Sequence, residues 1–207
     1  LYPPTSPLLK PARLQEAEFL YETRFYPDLE FTFKHALTHE VTYGSLLQDR
    51  RQRLHAGIVV ATEQLYGDRL SEHVERLAHH AMRGHLWDEA VRYGRQAGTR
   101  ALDRSASREA FAAFEQARIA LQEWPPGRQR SEQLIDLRFD QRNALVSLGE
   151  FSRLGEVAEE ARALAEELGD ERRLAWASGY LAMHYSILGE HERAITSGER
   201  GRDLSAS

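Results

Sequence analysis

The sequence predicts an all-α solenoid of helix hairpins with a small mixed segment at its N-terminus. Three observations lead there. From residue 34 onward, apolar residues recur at helical spacing in one window after another. Single glycines or serines, the residue types that stop helices, punctuate those windows in place of long loops. Leu-Gly-Glu stands at 148–150 and again at 188–190, so that "LVSLGEFSRL" matches "SILGEHERAI" with Gly149 and Gly189 40 residues apart. A recurring helix–turn–helix unit is the mark of a solenoid, because one hairpin cannot bury both of its faces and stacks on the next.

The elements follow in order. Residues 1–12 carry four prolines and read as an irregular lead-in. Leu14 to Leu20 suits a short helix. Phe19–Phe25 and Leu29–Phe33 alternate as two strands around a Tyr26-Pro27-Asp28 turn. Helices are then predicted near 34–48 and 50–66. The first carries Leu37, Val41 and Leu47, and the second carries Leu54, Ile58, Ala61 and Leu65 on one stripe. Another begins at Ser71 and runs to 83. The helix at 87–103 has an inward face of small residues, Ala90, Gly94, Ala97, Gly98 and Ala101, which lets a neighbour approach closely. Residues 107–122 present Phe111, Phe114, Ala117 and Leu121. "EWPPGRQRS" breaks the pattern, and four more helices follow near 131–148, 152–168, 171–188 and 191–204. The hairpin joints are expected at Gly84, Ser105, Gly149, Gly169 and Gly189.

The composition narrows the function classes. A net charge of −5 gives no general pull toward nucleic acid or anionic membrane. The absence of cysteine excludes disulfides, thiolate metal sites and cysteine nucleophiles. The only lysines are Lys10 and Lys34 and neither follows a glycine, so no P-loop is present, and G-x-S-x-G and dinucleotide fingerprints are absent as well. A chain that opens on Leu1 rather than Met and closes on "DLSAS" reads as a piece of a longer protein, and the lack of cysteine fits a reducing, cytoplasmic compartment.

Two stretches, "SLGEFSRLGEVAEEARALAEELGD" and "YLAMHYSILGEHERAITSGERG", resemble tetratricopeptide repeats. In the second, Leu181, Ala182, Tyr185, Gly189, Ala194 and Gly201 fall at the repeat's signature positions. Ala97, Gly98, Ala101, Ala110, Phe114 and Ala117 do the same earlier. The spacing exceeds the usual period of ~34 residues, as in the longer-helix variants of large bacterial regulators. The resemblance covers about 87–207. Farther upstream, "FTFKHALTHEVTYGSLLQDRRQRLHAGIVVATEQLY" followed by "LSEHVERLAHHAMRGHLWDEAVRYGRQAG" is similar to the junction in STAND-type bacterial signalling ATPases. These include adenylate or guanylate cyclase-like proteins and LuxR-type regulators. Such proteins carry an ATPase core, a winged helix and then repeats.

The resemblance implies an organisation: lead-in at 1–13, the end of a winged-helix-like segment at 14–68, and tetratricopeptide-like repeats at 69–207. It also implies a role for His35. Phe33-Lys34-His35-Ala36-Leu37 resembles the family's Met-His-Asp motif at its histidine and leucine, with Ala36 in place of the aspartate. There the histidine meets an ADP phosphate, and a helix N-terminus suits that contact through its unpaired N–H groups and positive dipole end. That contact belongs to the parent protein. The chain itself is expected to hold no cofactor and to catalyse nothing, its parent using ATP or ADP.

Repeat solenoids bind partners on the surface lined by the first helix of each pair. On those helices Arg92, Arg95, Arg138, Asn143, Trp176 and Met183 are the candidate contacts for a protein or peptide, along with an upstream ATPase domain of the same chain. The expected function is regulatory interaction and signal relay. The rival reading is a histidine-rich metal hydrolase, since His35 and His39 are four apart and His79-His80 have His73 and His85 nearby. Zinc needs a third or fourth ligand, and H-E-x-x-H is absent, so ligand counting favours surface histidines. "QDRRQRLH" at 48–55 lacks the aromatic interleaving of a nucleic-acid site. Weak self-association is expected through an uncovered apolar end at Ile195 and Leu204.

Overall fold

A computed structural model describes residues 9–24 and 30–206. The Tyr26-Pro27-Asp28 turn and the first eight residues of the lead-in lie outside them. The described residues are helical throughout except for one two-stranded sheet near the N-terminus, the all-α fold predicted. They divide into two compact units, 1–51 and 52–207.

The first unit holds α1 (Leu9–Glu16), β1 (Leu20–Arg24), β2 (Glu30–Phe33) and α2 (Ala36–Gly44). The helix at its start lies several residues earlier than the 14–20 expected. It closes where Glu18 takes a left-handed φ of 59° and the amide of Phe19 donates to Leu14 O at 2.8 Å. The strands pair antiparallel with Leu20 opposite Phe33 and Glu22 opposite Phe31, and the register breaks between Glu22 and Arg24. The Lys34 amide reaches Phe19 O at 2.9 Å and its ammonium Glu18 at 2.8 Å, tying the end of β2 to the start of β1. No residue of α2 is buried; Leu37, Val41 and Leu47, predicted as a helical stripe, all face out.

The second unit opens within α3 (Gln48–Leu65) and continues through a 3-10 segment (Gly67–His73), α4 (Val74–Gly84), α5 (Trp87–Asp103) and α6 (Ser107–Leu121). It ends with α7 (Arg128–Leu148), α8 (Phe151–Leu168), α9 (Glu171–Leu188) and α10 (His191–Ser205). Three antiparallel hairpins follow, α5 with α6, α7 with α8 and α9 with α10; each packs on the next, and α4 packs on α5. Helix α3 crosses α4 closely at one place, where Ala56 meets Gly84. Ser71 starts no helix; it falls in the 3-10 segment, and His73 precedes α4.

In the second unit the closure seen after α1 recurs five times. A residue in the left-handed region ends the helix: His85 (φ 56°), Ser105 (60°), Gly149 (71°), Gly169 (64°) and Gly189 (76°). The amide of the following residue then donates to a carbonyl five residues back: Leu86 to Ala81, Ala106 to Ala101, Glu150 to Leu145, Asp170 to Ala165, and Glu190 to Tyr185, all at 2.8–3.1 Å. This is the Schellman closure, which satisfies orphan carbonyls at a helix end. Four joints stand where the sequence put them. At the first, the left-handed residue is His85 rather than Gly84. Gly84 is buried, and a Cβ there would lie 2.8 Å from the amide nitrogen of Ala56, so its role is close approach to α3.

Small residues do the same between α5 and α6. Ala97, Gly98 and Ala101 are buried as expected. A Cβ on Gly98 would stand 2.3 Å from the ring of Phe114, which is fully buried. The α3 stripe reverses the expectation. His55, Val59 and Thr62 are buried, while Leu54 (51% exposed), Ile58 and Leu65 (75% exposed) face solvent. The reason is the close crossing at Gly84: it fixes which side of α3 meets α4, and that side is the more polar one. At the other end, Leu204 is not part of an uncovered face; it packs on the cluster of Ile135, Ala161, Ala165, Leu174 and Ala177, while Ile195 is exposed.

Candidate partner-binding groove

The first helices of successive hairpins, α5, α7 and α9, line a cavity of about 500 Å³. Its floor is built from three elements, each presenting one charged side of a helix. From α5, Arg95 donates through Nε to Asp140 on α7 at 2.8 Å and through Nη1 to Gln133 at 3.3 Å. Burial pushes the Asp140 carboxyl up from its ordinary range, and Arg95 partly offsets this. From α9, Arg173 grips both oxygens of Asp136 at 2.8 and 2.9 Å, the bidentate geometry that suits a guanidinium. Its Nη1 also donates to Asp170 at 2.6 Å.

Asp170 is the N-cap of α9 and accepts from the amide of Arg173 at 3.0 Å. Burial raises its carboxyl, but the backbone and side-chain bonds from Arg173 outweigh this and hold it low. The hydrogen bonds it donates to Asp136 and then to Asp170 push the Arg173 guanidinium above its ordinary range. The cap therefore does two jobs: it starts α9 and it fixes an arginine that spans α7 and α9.

Aromatic rings form the wall. Trp176 is 45% exposed. Arg172 lies over its ring at 4.7 Å, and Phe139 meets it edge-on at 6.0 Å. Phe139 also meets Tyr180 edge-on at 5.1 Å, and Arg142 covers Tyr180 at 4.5 Å. Beyond Arg95 and Asp140 the groove continues into a second cavity of about 570 Å³, reaching Thr99, Arg100, Asp103 and Ser71. The arrangement offers a half-exposed indole beside fixed, neutralised ion pairs, which suits extended contact with a polar chain more than chemistry on a small molecule.

The predicted contacts divide. Arg95 and Trp176 line the groove. Asn143 is exposed on α7 and accepts from Arg142 at 2.9 Å. Arg92 is half-exposed on α5; it pairs with Glu63 on α3 at 2.8 Å and lies over Tyr93, whose hydroxyl also donates to Glu63. Burial and that bond push the Tyr93 phenol up to about 12. Met183 packs on Leu145, Leu154 and Val157, so it belongs to the core. Arg138 points from a different side of α7 into a network with Glu115, Gln141 and Glu160, its side chain only 11% exposed. Carboxylates of the two neighbouring helices, Glu115 on α6 and Glu160 on α8, hold it there.

Asp136, Phe139, Asp140, Asp170, Arg172 and Arg173 were missed. The four-residue step from Asp136 to Asp140 and the Asp170-x-x-Arg173 cap were visible signals for them. His35 stands immediately before α2 in extended conformation, exposed, with no side-chain cap bond. His39 lies between Phe33 and Tyr43, with ring centroids at 5.3 and 5.9 Å. Among the described residues no group of three His, Asp or Glu side chains has metal-binding geometry, and no helix is long and apolar enough to cross a membrane. Neither a family model nor a curated protein matches the chain.

Proposed function

We propose that this chain is the interaction and signal-relay region of a larger nucleotide-dependent signalling protein, and that the groove across α5, α7 and α9 receives its protein or peptide partner. The observation that carries the reading is the half-exposed Trp176 set in a continuous, pre-ordered polar groove on the first helices of three hairpins. Fixed arginines and aspartates lower the ordering cost of binding, since their rotamers are held before the partner arrives. In this reading the stretch 31–66, which resembles the winged-helix end of STAND-type ATPases, joins the repeats to an upstream ATPase. His35, exposed at the start of α2, is then available to an ADP phosphate in the parent.

The test uses the parent chain. Trp176→Ala combined with Arg172→Glu removes the wall of the groove without touching the core. The expected result is loss of coupling between partner addition and nucleotide turnover, with circular dichroism and melting unchanged. Turnover that responds to the partner as in the wild type would overturn the reading.

A further inference from the structure

Beside the crossing of Ala56 and Gly84, α3 meets α4 through two histidines. The Nδ1 atoms of His55 and His80 lie 2.7 Å apart, with the ring centroids at 5.0 Å. His55 is 8% exposed, and His79 meets both rings edge-on, at 6.1 and 5.2 Å. Among the described residues, His79, Arg76 and Arg83 on α4 act on the pair, all cationic or able to become so. On its other side α4 meets α5 through Ala90, Val91 and Trp87 and, one turn before the pair, through Glu75, which pairs with Arg100 and Arg104.

We propose that the His55–His80 pair is an acid-sensitive clasp: neutral, it docks α3 on the helical array, and protonated, it releases α3. The chemistry follows from the two nitrogens. In the neutral pair one ring donates Nδ1–H and the other accepts at Nδ1. A first added proton goes to Nε2 of the donor ring and leaves the contact standing, but it places a charge beside Arg76 and Arg83. A second proton can go only to the accepting Nδ1, where it removes the lone pair on which the contact depends.

Burial lowers the pKa of His55, His79 and His80, that of His80 from the ordinary 6.5 to about 4. The sign is therefore fixed. The undocked form binds more protons than the docked one, so docking is at full strength above about pH 6.5 and weakens as pH falls from there toward about 4. Beside the pair, α3 is held by Val59 in the core, by the approach of Ala56 to Gly84 and by Glu63, which pairs with Arg92 and Tyr93 on α5; the His55–His80 pair is the part of this docking that responds to pH between about 4 and 6.5.

Hydrogen exchange on the full chain, corrected for the intrinsic pH dependence of exchange, tests this. Protection of α3 amides should fall as pH drops below about 6.5, by about tenfold per pH unit for each proton that release takes up, while α7 and α9 keep theirs. His80→Gln should flatten the α3 profile. If that variant does not fold, an NMR titration of the wild-type imidazoles decides: His80 titrating at 6.5 or above would overturn the proposal. So would α3 protection that follows α9 at every pH. Protection of α3 raised by zinc ions at neutral pH would overturn it too, by making the pair a metal ligand set.

Discussion

Gly98 and Gly179 carry the same side chain to opposite ends of a packing scale. A Cβ at Gly98 would overlap the Phe114 ring, whereas one at Gly179 would meet nothing within 4 Å. Gly98→Ala should therefore destabilise the fold by about 1–3 kcal/mol through overpacking, despite alanine's better helix propensity. Gly179→Ala should stabilise it by about 0.5–1 kcal/mol, the propensity gain alone. Urea denaturation of the two variants checks both; equal midpoints would mean that the α5–α6 crossing is looser than the 2.3 Å separation implies. The small-residue face of α5 was legible because its periodicity is local. Arg138 was not, because nothing in its own helix announces that Glu115 and Glu160 from two neighbours converge on it. Local spacing reports which side of a helix is apolar; it is silent on which charges a second helix brings.

The five Schellman joints show how the same closure tolerates different residues. Glycine takes the left-handed conformation without strain, but His85 and Ser105 adopt it at a cost of about 1–2 kcal/mol each. Ser105→Gly should recover about 1 kcal/mol, and Gly189→Ala should lose a similar amount, both read from melting curves with helix content unchanged. A loss at Ser105→Gly would mean that the serine side chain compensates the strain. The joints were the most legible elements, since a stop signal is written in one residue. The α3 stripe was the least. Leu54, Ile58 and Leu65 have the right period to be core, yet the approach of Ala56 to Gly84 turns them outward. Periodicity detects an amphipathic helix but cannot name its buried face when the less apolar side offers the closer fit.

Across the second unit, every hairpin leans chiefly on its sequence neighbours. The all-α architecture and the order of its helices were readable because such a fold repeats one local instruction. The groove was not readable in full: it exists only where three hairpins align Arg95, Asp136 with Asp140, and Arg173. The uneven ends of the unit also emerged only in three dimensions, with Leu204 tucked into the core while α3 shows leucine and isoleucine outward. The recurring joint has a mechanical consequence. Stretched between its ends, a chain whose hairpins pack chiefly on their sequence neighbours has no long-range clamp to resist the load. It yields piece by piece, as a zipper does, and each hairpin of the 40-residue step between Gly149 and Gly189 pays out roughly 130 Å of contour. Such a chain is a spring with discrete stops, able to lengthen under tension and recoil one turn of its architecture at a time.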